Sequence, residues 1–450
     1  MNMIVKPTQV TTRVNYSKLT PPVTIVDRHC GFGKSRALIA SLSDDRPVLI
    51  VLPLQTEVDR FIKEATVNLI EPSLDAGFSR KRDHLQSLLM DGYSIVTTHA
   101  LFSDIAYLAQ NGLLRGHDVY IDEVLNVVSC VTQEVLTKGS KGSGVSLRSW
   151  QELYLEHGFA TVDPVTNQVI PTEVWDKKQD LPELSNKLYH MAKAESLFAV
   201  GDNVLVWELP PILLRAVKSL TIYTFLAEGS LMAAFLRRNG IEYSHDRDLA
   251  SEKKFREDTK RLLEIRDMPS INRLTMSYSG QKRMNPKDQN KVSVALKNVR
   301  ERLMRGADMT KVMITCSKDM WFKDGKYRKP EVDPKEPSRM IQKRQTPGPY
   351  AAQSRMFGDT NWVPNTTRGT NDYRHCSHLF YLWDQHQNPR IIEFLGAEGE
   401  GLNDKYAVSE LIQWLYRSQI RDGKPVTMYM PSKRMRRLVN RWLDGDLELY

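Results

Sequence analysis

Cysteine is scarce in this chain: Cys30, Cys130, Cys316 and Cys376 are its only four, and none stands at CxxC spacing from another. That excludes a zinc knuckle and a disulfide framework, and leaves reduced thiols in a cytoplasm as the simplest reading. Long apolar runs are also missing. No stretch reaches the roughly 18 residues a membrane span needs, so no membrane is expected as a partner. The opening residues MNMIVKPTQV carry neither a secretory apolar core nor an Arg/Ser-rich transit pattern, which gives a cytoplasmic expectation, the host cytoplasm if the source is viral. No self-similarity at a period of about 20–50 residues is present, which argues against a solenoid or propeller. The lone histidines support no metal reading.

What is present is a chain of 450 residues, 41% hydrophobic and 26% charged, enough for more than one ordinary domain with a sizeable core. The net charge of +9 is unevenly spread. Residues 1–240 carry 24 Lys/Arg and 26 Asp/Glu, hence −2, so residues 241–450 carry +11. A basic half suggests a polyanionic partner, although a merely basic surface would look the same by charge alone.

The first third alternates apolar strands with helical stretches. VTIVD (23–27), PVLIVLP (47–53), YSIVTTH (93–99), DVYIDEV (118–124) and SLTIYTF (219–225) read as strands. Near-continuous apolar strands of this kind, separated by helices, predict a parallel sheet covered on both faces. Between about 126 and 217 the pattern breaks into polar segments with several Trp around KGSKGSG (138–144), which reads as an insertion. A second α/β series follows a basic, helical-looking stretch (251–311), with strands KVMITCS (311–317), HLFYLW (378–383) and PVTMYMP (425–431) and helices over 403–421 and 432–443. The expected fold is therefore α/β with two parallel-sheet domains. One covers 1–240 with its insertion at 126–217; the other covers 241–450 with a loop-rich insertion at 318–368.

Asp27-Arg28-His29-Cys30-Gly31-Phe32-Gly33-Lys34-Ser35 follows a strand and opens a helix, the setting a phosphate-binding loop requires. Gly31 and Gly33 would let backbone N–H groups turn toward phosphate oxygens. Lys34 would pair with the β and γ phosphates and Ser35 would hold Mg²⁺. The helix start adds the positive end of its dipole, with Arg36 in its first turn. Where GxxxxGK[ST] has its first glycine, this chain has Arg28. Downstream, Asp122 and Glu123 end an apolar strand. Adjacent acids there fit a Mg²⁺ holder, Asp122, and a general base, Glu123, although a strand end entering solvent also collects acids.

These two motifs, in this order, resemble motifs I and II of the superfamily 2 (DExx-type) helicases, in the style of divergent helicases of phages and large DNA viruses. Further stretches follow in sequence. Pro53 and Leu54 resemble motif Ia, and Thr97-Thr98-His99 resembles motif Ib, both implying nucleic-acid contacts. Thr224, Glu228, Gly229 and Ser230 occupy the place of motif III, which implies coupling of nucleotide state to nucleic acid. Thr315-Cys316-Ser317 stands in the place of motif IV. Thr366, Thr367 and Arg368 resemble the nucleic-acid side of motif V, and Gly369 and Asn371 its nucleotide side. Gln413, Arg417 and Arg421 resemble motif VI, whose arginines act on the γ-phosphate; the family spaces them by three residues, and here the gap is four. The resemblance implies RecA-like domains, ATP and Mg²⁺, and single-stranded or forked DNA ahead of RNA as partner, with replication or recombination proteins as further partners.

The residues support the last motif independently: Arg417 and Arg421 at i and i+4 would share a helix face, although a basic solvated helix is the plainer alternative. His99 could touch a phosphate or cap the next helix, and His29 could simply shape its turn. Residues 318–368 combine 11 Lys/Arg with Trp321, Phe322, Tyr327, Tyr350, Phe357 and Trp362. That suits single-strand binding, or a loop packed on its own aromatics. The function expected is an ATPase that translocates on or unwinds nucleic acid. A nucleotide-switched binding ATPase without strand separation comes second. A P-loop kinase comes third, since it leaves the basic second half unexplained.

Overall fold

The computed structural model describes residues 21–131, 150–179, 181, 184–201, 204–327, 331–332, 340–341, 345–367, 371–399 and 401–447. Five apolar runs build most of a six-stranded sheet: β1 (Val23–Asp27), β2 (Val48–Leu52), β3 (Ile95–Thr98), β4 (Asp118–Asp122) and β10 (Ser219–Thr224), with β11 (Ser244–Arg247) at the edge. The order is β11-β1-β10-β4-β2-β3 and every pairing is parallel. β2 is buried at every position, as expected of a strand covered on both faces.

A second all-parallel sheet, ordered β12-β18-β17-β13-β16, is made by β12 (Leu263–Asp267), β13 (Val312–Thr315), β16 (Asn361–Trp362), β17 (His378–Tyr381) and β18 (Val426–Met430). The protein is thus two α/β domains of the RecA-like kind. The first sheet continues past residue 240, because β11 pairs with β1 from Ser244 to Arg247. β11 reads SHDR and carries no apolar signature, which is why a boundary placed by hydrophobicity falls before it. Among the described residues no helix is long and apolar enough to cross a membrane.

Between β4 and β10 the chain makes a small antiparallel sheet, β5-β9-β8, from β5 (Val128–Cys130), β8 (Leu197–Val200) and β9 (Val204–Glu208), and a hairpin of β6 (Ala160–Val162) and β7 (Val169–Pro171). Trp150, Tyr154, Trp175, Leu188 and Leu197 form its own core. The KGSKGSG segment lies outside the described residues. In the second domain, β14 (Glu331–Val332) and β15 (Met340–Ile341) form a further hairpin.

The two halves interlock. The helix Pro389–Phe394 and the turn after it belong to the second half by sequence. Yet Ile391, Phe394, Leu395, Ala397 and Leu402 are buried in the first domain's core. The Arg238 guanidinium sits 3.9 Å from the centroid of the Phe394 ring, and Phe198 of the insertion lies 5.2 Å from that ring. Each fully buried Ile, Leu or Phe contributes roughly 1.5–3 kcal/mol. This contact therefore resists separation of the two halves.

Candidate active site

β1 delivers the chain into the loop 28–33, and the helix Lys34–Ser41 leaves it. Gly31 and Gly33 have φ of 85° and 92°. Those left-handed values suit glycine and give the N–H concavity that anions favour. Lys34 Nζ donates to Arg28 O at 2.8 Å, so the ammonium is held along the loop. Across the loop, Ser35 Oγ donates to Asp122 Oδ2 at 2.7 Å, joining the helix start to the end of β4.

Asp122 is buried, and burial pushes its carboxyl pKa up, with the Ser35 hydrogen bond opposing and the Glu123 charge adding. Glu123 breaks out of the strand at φ 63°, a conformation that costs a non-glycine residue on the order of 1–3 kcal/mol and clusters at functional sites. Its Oε1 lies 3.7 Å from Arg417 Nη2, and its buried Oε2 has no hydrogen-bond partner.

Arg417 and Arg421 come from the second domain, but not from one helix. The helix ends at Leu415, and Arg421 lies in a short 3-10 turn, Gln419–Asp422. Ser418 causes the break: its hydroxyl donates to Leu415 O and accepts from Ile420 N. Both arginines nevertheless line the same cavity as Gln413. Arg421 Nη1 donates to Asn371 Oδ1 at 2.6 Å, and a Cβ added at Gly31 would lie 3.6 Å from Arg421 Nε. The second domain's arginine therefore covers the glycine loop 28–33. Burial pulls the Arg421 pKa down from its ordinary value.

The cavity, about 1160 Å³, is lined by Cys30, Gly31, Phe32, Gly33, Lys34, Ser35 and Arg36 together with Pro53, Asp122, Glu123, Thr224, Ser230, Thr366 and Asn371. Pro53 and Thr366, expected on nucleic acid, thus line the same cavity as the loop 28–33. Other expected residues point elsewhere. Arg28 turns away from the loop, with Nη1 donating to Asp246 O at 2.7 Å and Nη2 paired with Asp246 Oδ1 at 2.8 Å. His29 stacks on Phe255, centroids 4.8 Å apart, and burial lowers its pKa.

Thr97 is buried, which removes it from any surface contact. His99 Nε2 lies 3.0 Å from Asp122 O, and Thr98 rather than His99 caps the following helix. Leu54 is exposed at the start of the helix Gln55–Glu64, and the Thr367 hydroxyl bonds Pro364 O. Glu228 pairs with Arg237 and accepts from the Tyr243 hydroxyl, while Gly229 packs against the helix Leu402–Leu415. Cys316 is buried at the end of β13. Arg368 and Gly369 lie outside the described residues. In 318–368, Trp321, Phe322 and Tyr350 are buried in the second domain's core, with Phe357 and Trp362 packed against them. These rings are packing groups, and only Tyr327 is substantially exposed.

Several lining residues carry no motif. Glu57, Arg60 and Glu64 of the helix Gln55–Glu64, and Tyr406, Ser409 and Glu410 of the helix Leu402–Leu415, all face the cavity. Their three- and four-residue spacings place them on single helix faces, the one local signal that could have found them. Asp27 was also missed. It is fully buried and accepts from Leu226 N at 2.9 Å and Ala227 N at 2.8 Å, fixing the loop that carries Gly229.

Comparison with known proteins adds the following. Residues 257–443 match the family described as the YonV C-terminal Rossmann-like domain. A relative from Bacillus subtilis (strain 168), titled SPbeta prophage-derived uncharacterized protein YonV, is 24% identical over 459 residues, spanning 94% of this chain and 99% of the relative. Among solved structures, one titled XPD helicase aligns over 95% of both chains at 12% identity and a TM-score of 0.49. S. tokodaii Xpd4 aligns over 96% of both at 11% identity and a TM-score of 0.42.

Proposed function

We propose that this chain is an ATP-driven motor of the helicase type, which hydrolyses ATP to move on, unwind or remodel nucleic acid, DNA ahead of RNA. One observation carries the reading. A single cavity draws the phosphate loop and Asp122–Glu123 from the first domain, and Gln413, Arg417 and Arg421 from the second. The lining fits a magnesium nucleotide: a glycine-shaped N–H concavity, a lysine beside it, a hydroxyl on a buried carboxylate, and the partnerless Glu123 Oε2.

Bound ATP supplies the phosphoanhydride bond, and Mg²⁺ would neutralise its oxygens. Lys34 and the loop N–H groups hold the β and γ phosphates. Ser35 and Asp122 would hold the metal, consistent with the few protein ligands Mg²⁺ takes alongside phosphates. Glu123 accepts the proton of the attacking water. Arg417 and Arg421 bring positive charge from the other domain, so their action depends on how the domains sit. Arg417 now faces Glu123, and in the working cycle it exchanges that carboxylate for substrate. The +11 of the second half is the footprint for nucleic acid, single-stranded or forked, with replication or recombination proteins as further partners. The prophage origin printed for the relative supports action in a host cytoplasm.

The test is ATP hydrolysis with single-stranded DNA, duplex DNA and RNA as separate activators, with Lys34→Ala as the blank. We expect at least one polymer to stimulate turnover and the blank to be silent. Wild-type turnover by folded Lys34→Ala, or no stimulation by any polymer, would sink the reading.

A further inference from the structure

Trp321, Phe322 and Tyr350 of 318–368 are buried as core, and a ring more exposed than Tyr327 stands elsewhere on the second domain. Tyr278 is 63% exposed and lies nearly parallel to Trp383, with centroids 6.4 Å apart and planes 10° from each other. We propose that Tyr278, backed by Trp383, is a stacking platform for a base of single-stranded nucleic acid; this rests on the nucleic-acid reading above and gives it a site.

The ring is exposed but its support is rigid. Tyr278 opens the helix Tyr278–Arg283, whose N-cap Ser277 accepts from Gly280 N at 3.2 Å. Gln281 is fully buried. Its Nε2 donates to Leu382 O at 2.9 Å and its Oε1 accepts from Ser317 N at 3.0 Å. Asp384 N donates to Met276 O at 3.0 Å. The helix is thereby tied to the carboxyl ends of β13 and β17, the edge where open parallel sheets bind ligands. Trp383 is itself held, its Nε1 donating to Thr315 Oγ1 at 3.0 Å. A ring fixed this way loses little freedom when a base settles on it.

Cations flank it. Lys282 Nζ lies over the Tyr278 ring, 5.6 Å from its centroid, and 2.7 Å from Asp319 Oδ2, and Lys282, Arg283 and Lys318 are exposed. A flat ring for bases beside cations for phosphates is how single strands are held without sequence preference.

The platform is also wired to the nucleotide cavity. Past Trp383, Gln385 accepts from Asn365 Nδ2 at 2.5 Å and donates to the Tyr406 hydroxyl at 3.4 Å. Tyr406 and Thr366, the neighbour of Asn365, line that cavity. Arg434 clamps the link, with Nη1 bonding Asp384 Oδ1 and Gln385 O and Nη2 bonding Asp404 Oδ1. A base on Tyr278 is therefore linked to the cavity through the Trp383 ring, the backbone to Gln385 and the Gln385–Tyr406 hydrogen bond.

Full-length protein is titrated, without nucleotide, against fluorescent oligo-dT, oligo-U and an abasic oligomer of the same length. Wild type is expected to prefer both base-bearing probes over the abasic one. Tyr278→Ala should weaken oligo-dT and oligo-U by roughly 5- to 100-fold, leave the abasic probe unchanged and so erase the preference, while Tyr278→Trp keeps it. Irradiation with a 5-bromodeoxyuridine oligomer should label the peptide containing Tyr278. If folded Tyr278→Ala binds oligo-dT as tightly as wild type, or wild type binds the abasic probe equally well, the platform is refuted while the motor reading stands. If wild type binds none of the probes and none stimulates hydrolysis, the nucleic-acid reading falls and this inference with it.

Discussion

Gly229→Ala tests whether the domain contact beside the cavity sets the rate. Gly229 is not among the residues with positive φ, so alanine can adopt its backbone and the effect is steric. A Cβ there would lie 2.8 Å from Lys405 O and 2.8 Å from Ser409 Cβ. Restoring ordinary contact moves the helix Leu402–Leu415 back by roughly 0.6 Å, since close-packed interiors have no slack. Overpacking of this kind costs about 1–3 kcal/mol.

Gln413 lies on the same helix and Arg417 just beyond it, so the displacement draws both from the phosphate loop. A misplacement of about 1 Å can lower a rate about 100-fold. We therefore expect kcat to fall at least roughly 10-fold, with KM for ATP little changed because Lys34 and Ser35 stay in place. Adding Ser409→Gly removes one of the two clashes and should restore part of the rate. Steady-state ATP hydrolysis with thermal unfolding reads both effects. Wild-type kcat and wild-type Tm for Gly229→Ala would show that this contact neither stores strain nor positions the arginines.

Glu123→Gln should keep ATP binding and lower turnover by roughly 100- to 10,000-fold, read by equilibrium binding and single-turnover hydrolysis; normal turnover would place the base elsewhere. Arg417→Ala and Arg421→Ala should each lower kcat, the arginine that meets the γ-phosphate by about 1,000-fold or more, with oligonucleotide affinity measured without nucleotide mostly kept. Equal small losses in both would argue against any arginine finger. Asp27→Ala leaves the N–H groups of Leu226 and Ala227 unsatisfied in a buried site, at about 1–3 kcal/mol each. Denaturant unfolding should show that loss, and a change under about 0.5 kcal/mol, the range of an ordinary surface substitution, would refute the accounting.

Much of the frame was legible in the sequence because it is written locally. Apolar runs such as VLIVL report a strand covered on both faces, and glycines between a strand and a helix report a tight left-handed loop, whatever the rest of the chain does. β11 and β12 were illegible for the same reason. SHDR has no apolar code, and LEIRD continues a helical stretch without a break, so pairing partners alone make them strands. Arg417 and Arg421 had the spacing of one helix face, but Ser418 ends that helix by competing for its backbone.

The sequence by itself determined two parallel-sheet halves, the loop around Lys34, the acids ending β4 and the basic second half. Tertiary structure decided which faces meet. It buried Trp321, Phe322 and Tyr350 and left Tyr278 exposed, turned Thr97 and His99 inward, and set Glu57 and Arg60 toward the cavity. It also sank Phe394 of the second half into the first domain's core. Those outcomes depend on contacts between residues far apart in the chain, and side-chain periodicity records only that a face is apolar, not what will cover it.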